Sequence, residues 1–549
     1  MTVDRLVASV DELAKKLADE LQQVDDRQAR GVFFTPPDVA SELVHLVVGP
    51  TTITVVDPAC GGGVFLLAAG RELVEQGVAD PGTIARHYLY GADVDQASVD
   101  ATRHLLATWA EIDPVEVEGV VVGDPLHQGH DVWPDGPDSG FDAVVGNPPF
   151  LGQLRSSTML SSDNRLALRQ RYPDLMAAYT DVAWLFLVVG LNLLAEGGRM
   201  VLIQPQSILA ARDAGPIRDQ MVTQGRLTGL WWDRSRVFDG HAGVCAPVVE
   251  RSSTVSCAGV GVFVDRGVVA QGRAEAPLLG ETWGGVLADA LGVPPGPTLD
   301  NELAVRRLGS LAGTTAGFRQ HFYGLVAGVA ESTGADDHRL PMVTTASVDP
   351  PHLRWSETSC RFNGRRWRAP VVDLAAVSAA DADVGKWFDD HRRPKLLVAS
   401  QTSVVEVVVD LAGDLVPVTP LVVVEPVGEE LELLWQLAAA LSAPVITALA
   451  VRQSLGAARS AGRLRLSATQ IADLPLPSDF GAWSEGSKLA RGLHRPSGLL
   501  PMADAWWAFG QTMTAAYGVA DQSAADSLVG WWWSRHPARH NLASGPTCG

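Results

Sequence analysis

Short runs of β-branched residues alternate with helical repeats between about residues 30 and 255. Alternation of this kind is typical of βαβ units, so it predicts an α/β fold with a doubly wound, mostly parallel, Rossmann-like sheet. Ligands of such sheets bind at the C-terminal ends of the strands. The predicted strands are 53–56, 88–92, 120–122, 141–145, 199–204, 227–231 and 244–250, and the predicted helices are 64–76, 96–110, 178–194 and 215–224.

The pattern changes after a Gly- and Pro-rich stretch at 284–297, which is the best linker candidate. Short strands and helices then follow without regular alternation, which predicts a mixed α+β domain of ordinary size. The last part of the chain is rich in tryptophan and has helical spacing. We therefore predict five parts: an amphipathic N-terminal helix (1–28), an α/β domain (29–255), a linker (256–300), a mixed α+β domain (301–480) and a helical tail (481–549).

Composition argues against several classes of protein. Of 549 residues, 46% are hydrophobic and 19% are charged, which is enough apolar material for a large core. No apolar run reaches the roughly 20 residues of a membrane-spanning helix, and the N-terminus lacks the apolar core of a signal peptide. The five cysteines form no CxxC pair, so we expect neither a disulfide scaffold nor a metal site. These features predict a cytoplasmic protein that does not bind membranes.

The net charge of −20 is unevenly distributed along the chain. Residues 1–150 contain 8 basic and 25 acidic residues, whereas the remaining residues contain 35 and 38. Because binding to a polyanion needs local positive potential, we expect such contacts in the later part. Two groups of arginines lie there. Interleaved arginine and aromatic side chains suit contacts with phosphates and bases. The other interpretation is that each group is a solvated face that balances nearby acids. The groups are Arg361, Arg365, Arg366 and Arg368, and Arg452, Arg459, Arg463 and Arg465.

The strongest local motif is Asn147-Pro148-Pro149-Phe150, directly after a predicted strand. Two prolines fix φ and remove two backbone donors, so the strand ends in a rigid turn. The turn presents an amide, a prolyl carbonyl and an aromatic ring, a set that suits an exocyclic amine on a planar heterocycle. The alternative is an ordinary strand-ending turn with Phe150 in the core.

Acids occupy the ends of the three preceding strands. Asp57 comes before a glycine-rich turn, and the glycines let a ligand approach the backbone closely. The turn is neither GxGxxG nor a P-loop, so a phosphate-binding site is disfavoured. The acid directly before the glycines suits a cationic amine of a ligand instead. Asp93 ends the second strand, where nucleoside-binding sheets hold a ribose diol. Asp124 ends the third strand, where it can accept a hydrogen bond from an adenine amine.

Taken in order, these segments resemble the S-adenosylmethionine-dependent DNA amino-methyltransferases. The segments that resemble motifs X, I, II, III and IV are FFTPP (33–37), DPACGGGVF (57–65), GADVD (91–95), GDP (123–125) and NPPF (147–150). Their order resembles the gamma class, in which a target-recognition region follows the catalytic domain. Similarity extends at the level of pattern to about residue 480, although QPQS at 204–207 is an unusual form of motif VI.

The resemblance implies S-adenosylmethionine as cofactor and a role for each matching position. A flipped target base would be held by Asn147, Pro148, Pro149 and Phe150, with Phe238 on its opposite face. Double-stranded DNA would be contacted by the later basic residues, Arg361, Arg365, Arg366, Arg368, Arg463 and Arg465. The cofactor would be bound by Phe33, Thr35, Asp57, Ala59, Gly61, Gly63, Asp93, Asp95 and Asp124.

The leading hypothesis is a site-specific methyltransferase that modifies N6 of adenine in duplex DNA, in host defence or restriction-modification beside a separate nuclease. One alternative is a protein-glutamine or RNA amino-methyltransferase, which the long region after the catalytic domain disfavours. Another is a non-catalytic, DNA-binding modification subunit, which the intact Asn147 and Asp57 disfavour.

Overall fold

The computed structural model describes residues 10–17, 35–150, 162–177, 180–233, 243–253, 259–264, 269–296, 306–317, 322–350, 352–399, 401–428, 430–455, 464–494 and 503–539. The chain divides into two compact units. The first unit comprises Met1–Leu291 with Leu455–Ala461, and the second unit comprises Gly292–Ser454 with Gly462–Gly549. The predicted N-terminal, α/β, α+β and tail boundaries stay predictions, whereas the predicted linker is corrected below.

A ten-stranded sheet forms the centre of the first unit. Its strands are β1 (Val55–Asp57), β2 (Leu89–Asp93), β3 (Val120–Val122), β4 (Phe141–Gly146), β5 (Leu194–Leu202), β6 (Gln204–Pro205), β7 (Gly225–Trp232), β8 (Val244–Arg251), β9 (Val260–Val264) and β10 (Val269–Ala274). The strand order is β10-β9-β7-β8-β5-β4-β1-β2-β3, with β6 paired to β8. Strands β3, β2, β1, β4 and β5 are mutually parallel, and β8 is antiparallel to both its neighbours. The predicted doubly wound α/β fold is confirmed.

Helices cover both faces of this sheet. Val145 and Val201 share a buried cluster with Leu43 of the helix Pro37–His45 on one face. On the other face, a Cβ at Gly190 of the helix Val182–Leu193 would lie 3.0–3.3 Å from Met200, Leu202 and Val144, whose side chains alternate with those of the first face. Residues 10–17 are also helical. The helices are α1 (Pro37–His45), α2 (Val64–Glu75), α3 (Pro81–His87), α4 (Gln96–Ala110), α5 (Pro125–Gln128), α6 (Ser162–Arg171), α7 (Val182–Leu193), α8 (Gly215–Thr223) and α9 (Gly284–Ala290).

Aspartates set where several of these helices begin. Asp80, Asp124 and Asp181 precede α3, α5 and α7, and each carboxylate accepts a hydrogen bond from a backbone N–H of the first turn. Such caps satisfy donors that have no partner inside the helix. Of the three, Asp124 also fixes how the chain turns as it leaves strand β3.

The segment 256–300 is not the linker that the sequence predicts. Strands β9 and β10 extend the large sheet, and α9 follows them. The Gly-rich signal at 284 was misleading, because Gly284, Val286 and Leu287 are buried residues of a helix. Trp283 is fully buried, and its backbone N–H donates to the carbonyl of Leu209 at 2.8 Å. The first unit therefore continues to Leu291.

The second unit is a mixed α+β structure, as predicted. Its strands are β11 (Ala312–Ala316), β12 (Val329–Glu331), β13 (Leu340–Val343), β14 (Val348–Asp349), β15 (His352–Leu353), β16 (Cys360–Phe362), β17 (Arg365–Trp367), β18 (Pro370–Val372), β19 (Lys395–Ala399), β20 (Glu406–Asp410), β21 (Val416–Pro417) and β22 (Leu421–Pro426). One sheet has the order β11-β22-β19-β20 and another the order β12-β18-β13-β21, while β14–β15 and β16–β17 are separate pairs.

Helices complete the second unit, and the tryptophan-rich tail is helical, as predicted. The Nε1–H of Trp483 donates to the carbonyl of Gln436 at 2.8 Å, which ties the tail to the helix Leu431–Ser442. Trp506 and Trp532 are buried around His536. The helices are α10 (Phe322–Leu325), α11 (Leu374–Ala380), α12 (Ala382–Asp390), α13 (Leu431–Ser442), α14 (Pro444–Ser454), α15 (Ala468–Ala472), α16 (Phe480–Leu493), α17 (Ala503–Ala516) and α18 (Gln522–Arg535).

Two consecutive helices of this unit, α13 and α14, are strongly apolar. Among the described residues, no single helix is both long and apolar enough to cross a membrane. Helices α13 and α14 pass that test only as a pair, and they are bent by 56° where they meet.

A buried ion pair joins two strands of the second unit. Lys395 of β19 lies opposite Asp410 of β20, with Nζ 2.9 Å from Oδ2 and side chains 1% and 4% exposed. Lys395 also donates to the carbonyl of Gly413, and Asp410 accepts from the N–H groups of Gly413 and Leu415. The two charges thus pair with each other and also bind backbone groups of the turn that follows β20.

Replacing Asp410 by Ala should lower the free energy of unfolding by about 3–5 kcal/mol, because it leaves Lys395 charged and buried without its partner. Urea unfolding of the full chain measures this loss. The control is Lys386→Ala, which removes the exposed pair with Asp390 and should leave stability nearly unchanged. Equal effects of the two variants would contradict the structural role of the buried pair.

Candidate active site

Three parallel strands end side by side at one edge of the large sheet. β1 pairs with β2 on one side and with β4 on the other. The chain proceeds from β1 towards β3 but from β4 towards β5, so the strand order reverses between them. Such a reversal leaves a crevice outside the strand ends, where ligands of doubly wound sheets bind. Asp57, Asp93 and Asn147 occupy these ends, and we call them the strand-end cluster.

Asp57 is the most deeply buried member of the cluster, with 1% of its surface exposed. Its Oδ1 accepts a hydrogen bond from the N–H of Ala59 at 3.0 Å. Burial raises the pKa of Asp57 to about 8; the Ala59 bond opposes the rise, and the negative charge of Asp93 adds to it. A positively charged ligand group would favour the ionised carboxylate.

Gly146, the last residue of β4, makes room for the Asp57 carboxylate. A Cβ at position 146 would lie 2.5 Å from Oδ1 of Asp57, and the glycine has a φ of +149°. A side chain there would collide with the carboxylate and strain the backbone. The end of β4 can therefore lie directly against the acid at the end of β1.

The glycine-rich turn after β1 is fixed from two sides. The N–H of Gly61 donates to Oδ2 of Asp93 at 3.1 Å, and the Thr102 hydroxyl donates to the carbonyl of Gly61 at 2.8 Å. Gly63 has a φ of +82°, and a Cβ there would lie 2.9 Å from Cγ2 of Thr102. A Cβ at Gly61 would meet nothing within 4 Å. The turn is thus held firmly while the space beside Gly61 stays open.

Asp93 and Asp95 have different surroundings. Oδ1 of Asp93 accepts from the N–H of Asp95 at 2.9 Å, so Asp93 holds both its own turn and the glycine-rich turn. Asp95 faces the start of α4, where its Oδ2 accepts from the Ser98 hydroxyl at 3.1 Å. Asp93 is therefore the acid that joins the ends of β1 and β2.

Asp124 lies beyond β3 at the start of α5. Its Oδ1 accepts from the N–H of Leu126 at 3.0 Å, and its Oδ2 lies 2.7 Å from Nδ1 of His127. The N–H of Gly123 donates to the carbonyl of Asp93 at 3.0 Å, which joins the end of β3 to that of β2. The sequence analysis missed His127, although a histidine three residues after an acid that starts a helix is a signal for such a pair.

Asn147 is oriented by a residue far away in the sequence. Its Nδ2 donates to Oγ1 of Thr35 at 3.0 Å, and Thr35 is 3% exposed. Because the nitrogen donates to Thr35, Oδ1 is the acceptor end of the amide. Pro148 is buried, and the half-buried Phe150 packs against the core of the first unit. Phe150 thus makes the core contact that is expected if the segment is an ordinary strand-ending turn. Asn147, in contrast, is held in a fixed orientation by Thr35.

The structure places the predicted site residues in two separate groups. The first unit gathers Thr35, Asp57, Ala59, Gly61, Gly63, Asp93 and Asn147, with Pro149 after Asn147 and with Asp95 and Asp124 at the adjoining strand ends. The sequence analysis missed Thr102, because nothing in the local sequence links it to a turn forty residues earlier. Phe33, Phe238, Arg459 and Arg463 lie outside the described residues.

The predicted DNA-binding arginines that the structure describes belong to the second unit. Arg361, Arg365, Arg366 and Arg368 lie on or beside β16 and β17, and all four are exposed. Arg465 is exposed elsewhere in this unit. Arg452 forms a hydrogen bond within the same unit, because its guanidinium donates to the carbonyl of Val293 at 3.1 Å. The functional roles of all these residues stay predictions.

Comparison with known proteins identifies relatives of the first unit. Residues 20–246 match the family model described as N-6 DNA Methylase. The type II methyltransferase M.TthHB8I of Thermus thermophilus is 26% identical over 194 residues, which are 35% of this chain and 38% of that protein. The type I restriction enzyme EcoEI methylase subunit of Escherichia coli is 26% identical over 185 residues, 33% of each chain. The chain thus spans less than two fifths of the length of these relatives.

A solved structure has a similar fold over nearly the whole chain. The type IIL restriction-modification enzyme MmeI, solved in complex with DNA, matches 99% of this chain and 79% of its own, with a TM-score of 0.56 and 12% identity. At that identity the likeness concerns the fold. The match of residues 20–246 confirms the resemblance to adenine-N6 DNA methylases, and the gamma class stays a prediction.

The raised pKa of Asp57 makes stability depend on pH. Between the ordinary value of 3.8 and about 8 the folded chain keeps a proton that the unfolded chain releases. The Asp57 contribution to stability is therefore full below about pH 4 and is lost as the pH rises towards 8. Asp57→Asn should remove this pH-dependent loss. The free energy of unfolding of the variant relative to the parent should therefore rise by up to about 1.4 kcal/mol for each pH unit. Urea unfolding at pH 5.5, 6.5 and 7.5, roughly spanning that window, measures it; a difference that does not change with pH would contradict the buried, protonated acid.

Proposed function

We infer, from the match of residues 20–246 to the N-6 DNA methylase family, that this chain transfers a methyl group from S-adenosylmethionine to N6 of adenine at a specific site in duplex DNA. The observation that carries the proposal is the hydrogen bond between Asn147 and Thr35. This bond fixes the orientation of the Asn147 amide, whose Oδ1 is the acceptor end. Asn147 directly follows Gly146, and Gly146 contacts the buried acid Asp57. Adenine rather than cytosine rests on the family description.

The strand-end cluster suits S-adenosylmethionine chemically. Asp57 is a buried acid whose raised pKa would fall in the presence of a cationic ligand, and the space beside Gly61 is open. Asp93 would accept from the ribose hydroxyls, and Asp124 from the adenine amine of the cofactor. When bound, the cofactor supplies an electrophilic methyl group carried on a sulfonium.

Asn147 would hold the target amine in line with that methyl group. Its Oδ1 and the carbonyl of Pro148 would accept the two N–H groups, which directs the nitrogen lone pair towards the methyl carbon and raises its electron density. The reaction needs no nucleophilic side chain, so positioning would supply most of the rate. A base inside the duplex is out of reach, so the adenine would be flipped out, with Phe150 beside it.

A role in restriction-modification is part of the proposal. The two curated relatives are named as a type II methyltransferase and as the methylase subunit of a type I restriction enzyme. Methylation of a recurring DNA sequence would protect it from a nuclease carried on a separate protein. Such a nuclease is the partner we propose besides DNA itself.

Asn147→Ala should abolish methyl transfer to DNA and leave the affinity for S-adenosylmethionine within a few-fold of the parent. The amide would contact the target amine and not the methyl donor. Transfer of a radiolabelled methyl group measures the first effect, and calorimetry measures the second. The control is Asn192→Ala, an exposed asparagine of the same unit, which should keep full activity. Near-normal transfer by the Asn147 variant would refute the assignment of the site.

Asp93→Ala should weaken cofactor binding by about tenfold to over a hundredfold, because a charge-assisted pair to a diol contributes about 1.5–3 kcal/mol. Calorimetric titration with S-adenosylmethionine measures the change. Asp100→Ala is the matched control, because Asp100 is an exposed acid on α4 of the same unit. If both variants bind the cofactor as tightly as the parent, Asp93 does not contact the cofactor and only stabilises the glycine-rich turn.

A further inference from the structure

Strands β16 and β17 form a short two-stranded ribbon in the second unit. They are antiparallel and joined by Asn363 and Gly364, whose φ values of 45° and 75° are both positive. Positive φ at both central residues is the mark of a type I′ turn, which keeps a hairpin narrow and twisted. The hairpin therefore has a defined geometry although each strand has only three residues.

One face of the ribbon is anchored in the core. Cys360 and Phe362 are each 3% exposed, and the half-buried Trp367 packs in the same cluster. The Nε1–H of Trp367 donates to the carbonyl of Phe362 at 3.2 Å, which ties the two strands together. These contacts hold the ribbon in place from beneath.

The other face of the ribbon consists of two arginines. Arg361 lies directly opposite Arg366 across the pair of strands, and both side chains are exposed. Arg365, also exposed, stands next to the turn. Like charges directly opposite each other destabilise a sheet, because their Cβ atoms are only about 5 Å apart. An anion bound between the two guanidinium groups would remove that repulsion.

Four other arginines of the second unit are paired with acids, whereas three arginines of the ribbon have no such partner among the described residues. Within the described part of the chain, Arg361, Arg365 and Arg366 form no hydrogen bond or ion pair from their side chains. The nearby carboxylate of Glu331 accepts from the backbone N–H groups of Arg368 and Ala369 instead. The pairs formed elsewhere in this unit are Arg339–Asp337, Arg354–Asp349, Arg392–Asp414 and Arg393–Glu425.

We propose that the β16–β17 ribbon is the element of the second unit that enters a groove of duplex DNA, with Arg361 and Arg366 binding backbone phosphates on its outer face. The proposal rests on the DNA methyltransferase function proposed above and names where that enzyme holds its substrate. A two-stranded ribbon fits the major groove. The planar guanidinium matches phosphate geometry, and in a chain of net charge −20 three adjacent unpaired cations provide a local positive surface.

The test compares DNA affinity of the full chain and its variants at several salt concentrations, on duplexes that carry the methylated sequence and on random duplexes. Arg361→Ala with Arg366→Ala should lower the affinity for both duplexes by about tenfold or more. The slope of log K against log salt should fall by about 1.8, since each phosphate contact contributes about 0.9. Affinity for S-adenosylmethionine should not change, and the midpoint of thermal unfolding should not fall, because removing the two opposed charges relieves their repulsion.

Two further variants separate phosphate binding from a general effect of charge. Arg361→Lys with Arg366→Lys keeps both charges and should retain most of the affinity and the parental salt slope. Lys386→Ala with Arg392→Ala removes two exposed, paired cations of the same unit and should bind DNA like the parent.

The outcomes distinguish this proposal from the function beneath it. If the parent methylates and binds DNA, and the Arg361/Arg366 double alanine variant binds both duplexes equally well with the same slope, the ribbon is a solvated surface. An equal loss in the Lys386/Arg392 control would also overturn the proposal, because net charge alone would then explain it. If the parent neither binds nor methylates DNA, the proposed function itself fails.

Discussion

The contact between Gly146 and the Asp57 carboxylate is the constraint on which the rest of the site depends. β1 and β4 are parallel neighbours, so their last residues meet at the same edge of the sheet. Glycine at 146 lets the two strands end against each other with the acid buried between them. The next residue, Asn147, then starts the turn that Thr35 orients. One strand register therefore sets the separation between the proposed cofactor acid and the acceptor for the target amine.

The ends of the strands could be predicted from the sequence, because each is marked locally. Asp57, Asp93 and Asn147 follow short β-branched runs, and the βαβ alternation orders those runs into one parallel sheet. The bond between Thr35 and Asn147 spans 112 positions, and the support of Gly61 by Thr102 spans 41. No periodicity carries such information. The linker prediction failed because glycines that begin a helix, as at the start of α9, look the same in sequence as glycines that break one.

The two units divide the charges as well as the proposed tasks. The acidic part of the chain contains the site proposed for a cationic cofactor, where buried carboxyl groups are an advantage. In the described part of the second unit, four arginines form ion pairs with acids, and three arginines on one ribbon have no such partner. A strongly acidic protein can therefore present a local cationic surface, since attraction at contact distance depends on nearby charges more than on the total.

The most direct measurement is base-resolved sequencing, with detection of modified bases, of DNA from cells that express the chain and from cells with the empty vector. A site built around an amide acceptor beside a cofactor acid predicts N6-methyladenine at one recurring short sequence, present only with the chain. Unmodified adenine throughout the expressing cells, or modification confined to cytosine N4, would contradict the account.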